Sequence, residues 1–269
     1  MVKIAILGST GMLGNAVSKY FLKKENYEVY TSFRHEEPPY GKNNFYFDAL
    51  DPSASILPKV DYIINCIGVI KPFMKKGPEN AIVINSLFPH TFSNFCKNNN
   101  IKMIHITTDC VFSGKKGNYT ESDLHDCLDD YGKTKSLGEP RDCMVIRTSI
   151  IGEEIKNNVS LIEWAKSQKN LEARGFTNHL WNGITTTEYA KICDQIIQND
   201  FYENGLFHVH SESVNKFELL KMISDSLSLN LQIEPYETGI SCDRTLSTEK
   251  DLMSKITISP LNTQINNLK

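Results

Sequence analysis

The sequence has no excess of basic residues and no long apolar run. Its 29 lysines and arginines are outnumbered by 32 aspartates and glutamates, which gives a formal net charge of −3. Nucleic-acid-binding surfaces are built from excess positive charge, so no nucleic acid is expected as a partner. No stretch approaches the ~18 apolar residues that span a bilayer, and the apolar run at the N-terminus is too short for a secretory signal. We therefore expect no membrane partner.

Paired cysteines and metal-ligand spacings are also missing. The seven cysteines are scattered, and none forms a C-x-x-C pair. An odd number without a pattern is typical of reduced thiols, so we expect a cytoplasmic protein without a disulfide framework. His208 and His210 alternate as strand residues do, but no third ligand lies near them in the sequence. No metal site is predicted.

What the chain does contain is a regular alternation of short β-rich apolar runs and amphipathic helical segments. Over 269 residues this alternation predicts an α/β fold. We expect a Rossmann-type doubly wound parallel sheet over residues 1–150, which binds NAD(P). A smaller C-terminal α/β lobe over 151–269 would bind the substrate, with segments near 180–210 as candidates to pack back on the sheet.

Hydrophobic periodicity predicts where the elements lie. The expected strands of the first domain cover segments 2–7, 27–32, 45–47, 60–68 and 102–108, and its clearest later helix covers 81–96. In the second part we expect helices over 153–170, 186–197 and 216–227, a strand over 205–210 and a loop over 175–183.

A glycine-rich turn, GSTGMLG at 8–14, directly follows the first predicted strand, and a helical pattern begins after it. Glycines here allow a tight turn and let backbone N–H groups and a helix N-terminus approach a pyrophosphate. The order strand, glycine turn, helix therefore predicts a dinucleotide site rather than a plain βα turn.

The end of the second predicted strand distinguishes NADP(H) from NAD(H). An NAD site usually holds the ribose 2′-hydroxyl with an acid about 20 residues past the glycines. Ser32 and Arg34 lie here instead, and a hydroxyl and a guanidinium suit a 2′-phosphate. NADP(H) is favoured, and the nearby Glu36 and Glu37 keep NAD(H) as the alternative.

Tyr131 and Lys135 are four residues apart, which places them on one face of a helix. A cation beside a phenol favours the phenolate, so the pair can exchange a proton with an alcohol or ketone oxygen. The same spacing also occurs where a surface tyrosine packs on a lysine stem. Thr108, at the end of the predicted strand 102–108, is a candidate third hydroxyl because parallel strands end at one edge of the sheet.

Five ordered segments resemble those of extended short-chain dehydrogenases/reductases. They are GSTGMLG at 8–14, NCIG at 65–68, Asn85, TTDCVFSG at 107–114 and YGKTK at 131–135. The fourth resembles the S-T-D-Y-V-F-x-G segment of dTDP-4-dehydrorhamnose reductases and their relatives. The resemblance covers about residues 1–150 and extends through 243–246, which is similar to a late arginine segment of those reductases.

The resemblance implies roles for the matching residues. Thr108 and Tyr131 would hydrogen-bond the substrate oxygen, and Lys135 would bind the nicotinamide ribose and lower the pKa of Tyr131. These three would be the catalytic residues. With the residues discussed above, the expected cofactor site consists of Gly8, Thr10, Gly11, Met12, Leu13, Gly14, Ser32, Arg34, Asp48, Ala49, Cys66, Ile67, Gly68, Asn85, Tyr131 and Lys135.

Single residues disfavour two other enzyme classes of the superfamily, the dehydratases and the epimerases. Sugar-nucleotide 4,6-dehydratases carry Thr-Asp-Glu where this chain has Thr-Asp-Cys at 108–110, and a thiol does not suit the elimination of water. Epimerases hold NAD tightly, whereas Arg34 favours an exchangeable NADP. The rhamnose-pathway reductases typically carry a tryptophan after an Arg-Thr-Ser strand, where this chain has Ile150. The sugar and its nucleotide therefore stay open.

The expected substrate site combines Thr108 with residues of the C-terminal part. Segment 175–183 holds two aromatics, an amide and an imidazole, and we interpret it as a substrate-facing loop, with Asn178 and Trp181 as ligands. The alternative is a loop that its aromatics merely anchor. Arg244 is a candidate clamp for a nucleotide diphosphate, with a surface salt bridge as the alternative.

These expectations combine into an NADPH-dependent reductase of the C4 keto group of a nucleotide-linked 4-keto-6-deoxyhexose, in deoxysugar or polysaccharide biosynthesis. One alternative is a non-catalytic NADP-binding subunit, since the regulatory subunit of methionine adenosyltransferase resembles the same reductases. Another is a bifunctional epimerase/reductase of a UDP- or GDP-linked sugar, including a 2-acetamido sugar. A nucleotide sugar is the expected small-molecule partner, and a homodimer is the candidate assembly.

Overall fold

Seven parallel strands form the central sheet of the protein, whose computed structural model describes residues 1–35, 41–156 and 158–268. In chain order the strands are β1 Val2–Leu7, β2 Tyr27–Phe33, β3 Asn44–Tyr46, β4 Tyr62–Asn65, β5 Lys102–Thr108, β6 Met144–Thr148, β7 Ile150–Ile151, β8 Glu172–Phe176, β9 His179–Trp181, β10 Ile184–Thr185, β11 Gly205–His208, β12 Val214–Asn215, β13 Gln232–Tyr236 and β14 Cys242–Asp243. The central sheet has the order β3-β2-β1-β4-β5-β6-β11. The chain therefore switches direction across the sheet between β1 and β4, where doubly wound folds bind ligands.

Helices cover both faces of this sheet and also build a second core in the C-terminal part. They are α1 Met12–Phe21, α2 Pro78–Ile82, α3 Phe88–Asn98, α4 Asp130–Ser136, α5 Leu161–Ser167, α6 Thr186–Gln198, α7 Lys216–Ser226, α8 Leu252–Lys255 and α9 Leu261–Asn266. Short 3-10 turns lie at Pro52–Ala54, Lys71–Lys76 and Asp109–Val111, and a π-helical turn at Val83–Leu87 joins α2 to α3. No helix among the described residues is long and apolar enough to cross a membrane.

The sheet is buried because each face packs against its own set of helices. On one face, Val17 and Phe21 of α1 pack with Ile192 and Ile196 of α6 against alternate residues of β1, β4, β5 and β6. On the other face, Phe88 and neighbouring side chains of α3 cover the remaining residues of the same strands. Strands covered on both faces are apolar throughout, as in the run IAIL of β1. The predicted doubly wound α/β fold is confirmed.

Part of the C-terminal half completes the central sheet. β11 pairs in parallel with β6 at the sheet edge, and α6 lies beside α1. Asp194 on α6 accepts hydrogen bonds from Tyr20 (2.8 Å) and Tyr27 (2.6 Å), and its carboxylate lies 3.0 Å from Lys24 Nζ. The division of the chain near residue 150 into two domains stays a prediction.

The remaining C-terminal elements form a second core around α5, α7 and α9. Two small sheets border it, with strand orders β13-β8 and β12-β9-β14. Two local predictions are wrong here. The helix expected over 153–170 is limited to α5, and its N-cap is Ser160. The loop expected over 175–183 contains the end of β8 and all of β9, because both strands pair with segments distant in the chain.

Candidate functional site

A cleft of about 510 Å³ lies at the carboxyl ends of β1, β4 and β5. The turn after β1, the segment after β4, the end of β5 and one face of α4 all open into it, because parallel strands end at the same edge. The expected site residues that line it are Thr10, Gly11, Met12, Leu13, Cys66, Ile67, Gly68, Thr108, Tyr131 and Lys135.

The glycine turn leaves one end of α1 facing this cleft. Gly8 has a φ of +79°, which favours glycine, and a Cβ atom at Gly14 would overlap the Gly8 carbonyl oxygen. The helix begins at Met12 with no side-chain cap at Gly11 and no acidic residue in its first turn. Its backbone N–H groups and positive dipole end therefore suit an anion such as a pyrophosphate.

Ser32 supports the glycine turn from below. Its side chain is buried, and its hydroxyl accepts a hydrogen bond from Gly8 N (2.9 Å) while its own N–H donates to Ser9 Oγ (3.2 Å). This placement does not suit the contact with a 2′-phosphate that the sequence predicted. The parallel pairing of β1 with β2 turns the hydroxyl under the turn.

Arg34, just after β2, is the cation exposed at this end of the site. Its Nη1 lies 3.8 Å from Asp48 Oδ1, and 44% of its side chain is exposed. Asp48 also accepts from Leu50 N (3.0 Å), and Ala49 is buried. A half-exposed guanidinium retains donors for a phosphate. The acidic alternatives at positions 36 and 37 lie outside the described residues.

Thr108, Tyr131 and Lys135 meet at the inner end of the cleft. Thr108 Oγ1 accepts from Cys110 N and donates to Asp109 Oδ1, both at 3.1 Å, and Thr108 and Tyr131 both line the cleft. Lys135 is only 4% exposed, and its Nζ donates to Ile106 O at 3.0 Å. The structure thus brings together the three residues that the sequence assigned to catalysis.

Burial sets the protonation of Tyr131 and Lys135. It raises the pKa of Tyr131 above the ordinary value of 10.0, and a contribution from Cys110 adds to this while Thr108 opposes it. It lowers the pKa of Lys135 to about 8, against the opposing effect of Glu139. The net direction is upward, and the lowering effect of Lys135 that the resemblance implied stays a prediction. A phenol with a raised pKa is protonated at neutral pH, which is the form that donates a proton.

Asn85 does not line the cleft. It lies in the π-helical turn with 1% exposure, and its amide bonds Val69 N (2.8 Å), Val69 O (2.9 Å) and Thr134 Oγ1 (3.1 Å). Its polar atoms are occupied, so the predicted direct cofactor contact is not seen. Instead it ties the segment after β4 to α4, which carries Tyr131 and Lys135.

The side chains of Asn178 and Trp181 contact other parts of the protein, and their predicted substrate contacts stay predictions. The Asn178 amide bonds Thr238 through three contacts: Nδ2 to O at 2.8 Å, and Oδ1 from both N and Oγ1 at 3.1 Å. Trp181 is 4% exposed in the second core, with Lys216 Nζ 5.1 Å from its ring centroid. Neither side chain lines the cleft.

Two cations lie near Asp109, the residue after Thr108. Arg244 Nε donates to Phe112 O at 2.8 Å, and Lys216 begins α7. Burial raises the pKa of Asp109, and the charges of Arg244 and Lys216 oppose that rise. Among the described residues, neither cation has a carboxylate within salt-bridge distance, so the surface salt bridge considered for Arg244 is not seen.

Sequence reasoning missed Lys216, Lys71 and Asp129. Asp129 caps α4 by accepting from Gly132 N (2.8 Å), and an aspartate two residues before Tyr131 is a readable N-cap signal. Lys71 Nζ bonds Asp129 at 2.9 Å and lies 5.9 Å from the Tyr131 ring centroid. No local pattern marks Lys216. No cluster of three metal-ligating side chains occurs in the described ranges.

Comparison with known proteins agrees with this architecture. Residues 2–247 match the family model described as the RmlD substrate binding domain. Three curated relatives are each 26% identical to the chain. They are a probable low-salt glycan biosynthesis reductase of Haloferax volcanii (77% of this chain, 74% of the relative), the methionine adenosyltransferase 2 subunit beta of Rattus norvegicus (84% and 72%) and a dTDP-4-dehydrorhamnose reductase of Aggregatibacter actinomycetemcomitans (79% and 74%).

Solved structures share the fold over nearly the whole chain. The dTDP-4-dehydrorhamnose reductase of Bacillus anthracis, in complex with NADP, superimposes with a TM-score of 0.77 at 18% identity over 100% of this chain and 98% of that one. MoeE5, in complex with UDP-glucose and NAD, gives a TM-score of 0.74 at 15% identity, covering 98% and 96%. Because the family model spans nearly all of the 269 residues, the chain belongs to the RmlD substrate binding domain family.

Proposed function

We propose that the protein reduces the C4 keto group of a nucleotide-linked 4-keto-6-deoxyhexose with NADPH. The observation that carries this proposal is the meeting of Thr108, Tyr131 and Lys135 in the cleft that the glycine turn also lines. A proton donor and an anion-binding helix end are what ketone reduction by a dinucleotide requires.

A nicotinamide cofactor fits the residues at the strand ends. The uncapped start of α1 suits its pyrophosphate. Gly68 lies beside Lys135, since a Cβ atom built on Gly68 would be 4.0 Å from Lys135 Nζ. The cofactor supplies the hydride when it is bound. Solved relatives carry NADP in one case and NAD in another. The exposed Arg34 and the absence of an acid at 29–35 support NADP(H) here.

The protein's own residues donate the proton and bind the oxygen of the keto group. The protonated phenol of Tyr131 donates to the carbonyl oxygen as that oxygen becomes an alkoxide. Thr108 holds the same oxygen by turning its hydroxyl proton away from Asp109. Lys135, cationic below its pKa of about 8, stabilises the phenolate left on Tyr131. Burial thus keeps Tyr131 protonated before the proton transfer, by raising its pKa. Lys135 stabilises the phenolate that remains after the transfer.

In this proposal, Arg244 and Lys216 bind the diphosphate of the substrate. Both cations lie near Asp109, and among the described residues neither forms a salt bridge with a carboxylate, so their charges can attract a phosphate. Ile150 lines the cleft where the related reductases typically carry a tryptophan. The space beside Ile150 leaves room for a sugar substituent, so the substrate panel should include 2-acetamido sugars.

A non-catalytic subunit is the second candidate, because curated relatives include the methionine adenosyltransferase 2 subunit beta. Such a subunit has no physical need for a proton donor beside a threonine and a buried lysine. The presence of Thr108, Tyr131 and Lys135 in one cleft therefore favours the reductase.

The test is NADPH oxidation by the purified chain with a panel of dTDP-, UDP-, GDP- and CDP-linked 4-keto-6-deoxyhexoses. We expect turnover with at least one member of the panel and none with the matching 4-hydroxy sugars. A chain that binds NADPH yet oxidises it with no member of the panel, and that co-purifies with an unrelated enzyme, is a subunit instead.

A further inference from the structure

A buried ionic cluster lies outside the cleft, at the carboxyl ends of β6 and β11. Arg147 is fully buried and donates to both oxygens of Glu139, from Nε to Oε1 at 3.1 Å and from Nη2 to Oε2 at 2.6 Å. Its Nη2 also lies 2.6 Å from His125 Nε2, and its Nη1 lies 2.7 Å from His208 Nε2. We call these four residues the Arg147 cluster. None of them lines the cleft.

The hydrogen bonds assign a neutral tautomer to each histidine. His208 Nδ1 faces the carbonyl oxygens of Ser247 (2.7 Å) and Tyr119 (3.1 Å), which can only accept, so Nδ1 carries the hydrogen and Nε2 accepts from Arg147. His125 Nε2 accepts from Arg147 likewise, and its Nδ1 donates to Ser136 Oγ at 2.6 Å. Burial lowers the pKa of both rings, that of His208 to about 4.

Stability alone does not account for such a cluster. A buried ion pair repays its desolvation only with full hydrogen bonding, and apolar residues of the same volume often stabilise a core as well or better. Here Nε, Nη1 and Nη2 of Arg147 each have a partner, and the guanidinium carbon lies 5.0 Å from the centroid of the Phe112 ring. The arrangement fixes one geometry, which points to a role in placing the attached elements.

Two of those attachments belong to the catalytic helix. Ser136 is the last residue of α4 and bonds His125, and Glu139 follows three residues later and bonds Arg147. We propose that the Arg147 cluster is a positioning device that fixes the C-terminal end of α4 against the sheet and so sets the angle at which Tyr131 and Lys135 enter the cleft. This inference rests on the proposed function for its meaning in catalysis.

The other end of the cluster holds the segment that carries Arg244. His208 donates to Ser247 O, and Glu121 accepts from His208 N (2.8 Å) and from Thr248 Oγ1 (2.6 Å). The catalytic helix and the expected diphosphate clamp are thus joined through one set of buried hydrogen bonds. A continuous chain of hydrogen bonds does not by itself prove energetic coupling between α4 and the segment that carries Arg244, so the coupling has to be measured.

The cluster also acts on Lys135 through charge. Glu139 supports the cationic form of Lys135 against burial. Besides Tyr131, a further titratable group near Lys135 is His105 of β5, whose pKa is held well below its usual value by burial, so it is neutral. Removing the Glu139 charge lowers the pKa of Lys135, and the uncompensated charge of Arg147 acts in the same direction.

The test compares Glu139→Gln with His125→Ala and with the control Asp142→Asn. Asp142 is an exposed carboxylate three residues from Glu139 that pairs with Lys97 at 2.8 Å. The pKa of Lys135 is followed by lysine ¹⁵N NMR, and kcat and KM by NADPH oxidation with the panel sugar that the wild type reduces. We expect Glu139→Gln to lower the Lys135 pKa by about 1 and kcat about tenfold at unchanged KM, as for a misplaced catalytic group. Asp142→Asn should leave both unchanged.

His125→Ala keeps both charges and removes two hydrogen bonds at a position that is 24% exposed, so it carries the test if Glu139→Gln does not fold. It should lower kcat several-fold while the Lys135 pKa stays near 8. Folded variants with wild-type kcat and a wild-type Lys135 pKa would overturn the proposal. If the wild type reduces no sugar of the panel, the proposed function fails, and the effect of Glu139→Gln on the Lys135 pKa still decides whether the cluster controls Lys135.

Discussion

The region from β5 to α4 and the region from β8 to β9 contain similar residues but are used differently. Both carry hydroxyl, amide and aromatic side chains next to strand ends. In the first, Thr108, Tyr131 and Lys135 line the cleft. In the second, the amide of Asn178 is hydrogen-bonded to Thr238, and the ring of Trp181 is buried in the second core. The side chains of the first region open onto the cleft, whereas those of the second contact other parts of the protein.

The difference follows from how the two sets of strands pair. β5 lies inside a parallel sheet, so its end opens onto the edge where the other strands end. β8 and β9 pair with strands from residues 232–243 in two small sheets, and no residue of β8 or β9 lines the cleft. Arg244 keeps donors available as well, because among the described residues its Nε alone is seen to donate to a protein acceptor.

The largest expected effect comes from Tyr131→Phe. Removing the proton donor should lower kcat about 1,000-fold, the scale of general acid catalysis, with NADPH affinity nearly unchanged. Steady-state NADPH oxidation and a fluorescence titration of NADPH measure the two quantities. Tyr236→Phe, a half-exposed tyrosine of the second region, is the control and should behave as wild type. A Tyr131→Phe variant with wild-type kcat would remove Tyr131 from the mechanism.

Arg244→Ala and Asn178→Ala contrast the two regions directly. Loss of a charged hydrogen bond costs about 1.5–3 kcal/mol, so Arg244→Ala should raise KM for the nucleotide sugar about 10- to 100-fold. Asn178→Ala should leave KM unchanged and lower the free energy of unfolding by about 1 kcal/mol, because its partly buried partner Thr238 loses three hydrogen bonds. Kinetics and urea unfolding on both variants are the measurements. A KM effect in Asn178→Ala alone would reverse the assignment.

Arg34→Ala should act on the cofactor. We expect the dissociation constant for NADPH to rise about tenfold, because the guanidinium lost is the expected partner of the 2′-phosphate. The constant for NADH should not change. Calorimetric titration with each nucleotide measures this, and Lys19→Ala provides a matched loss of one surface charge. Equal effects on both nucleotides would mean that Arg34 does not read the 2′-phosphate.

Lys135 gives the smallest effect at neutral pH. Its pKa of about 8 lies below the ordinary 10.5 because it is buried, so turnover should fall as the pH rises through about 8 and the cation is lost. The contribution of Lys135 to stability changes with pH in the opposite direction to turnover. Between these two values the unfolded chain holds a proton that the folded chain has released, so the contribution of Lys135 to the free energy of unfolding rises with pH. Urea unfolding of wild type and Lys135→Met across this window measures the difference, and parallel curves would contradict it.

The sequence predicted the parts of the site that local patterns encode. The glycine turn, Thr108 and the pair Tyr131 and Lys135 depend on one strand end, one turn and one helical spacing. Long-range pairing decides the rest. The β1–β2 pairing turns Ser32 under the glycine turn, and the pairing of β8 with β13 brings Asn178 to Thr238. Lys216 could not be found for the same reason, since its neighbour Asp109 lies more than 100 residues away in the chain.

The most direct test of ketone reduction is the transfer of deuterium from C4-deuterated NADPH to the sugar. We expect one deuterium at C4 of the product sugar for each NADPH oxidised by the wild type, seen by NMR and mass spectrometry, and label that forms about 1,000-fold more slowly with Tyr131→Phe. Deuterium at another carbon, or NADPH oxidation without label in the sugar, would contradict a reductase that acts at C4 through Tyr131.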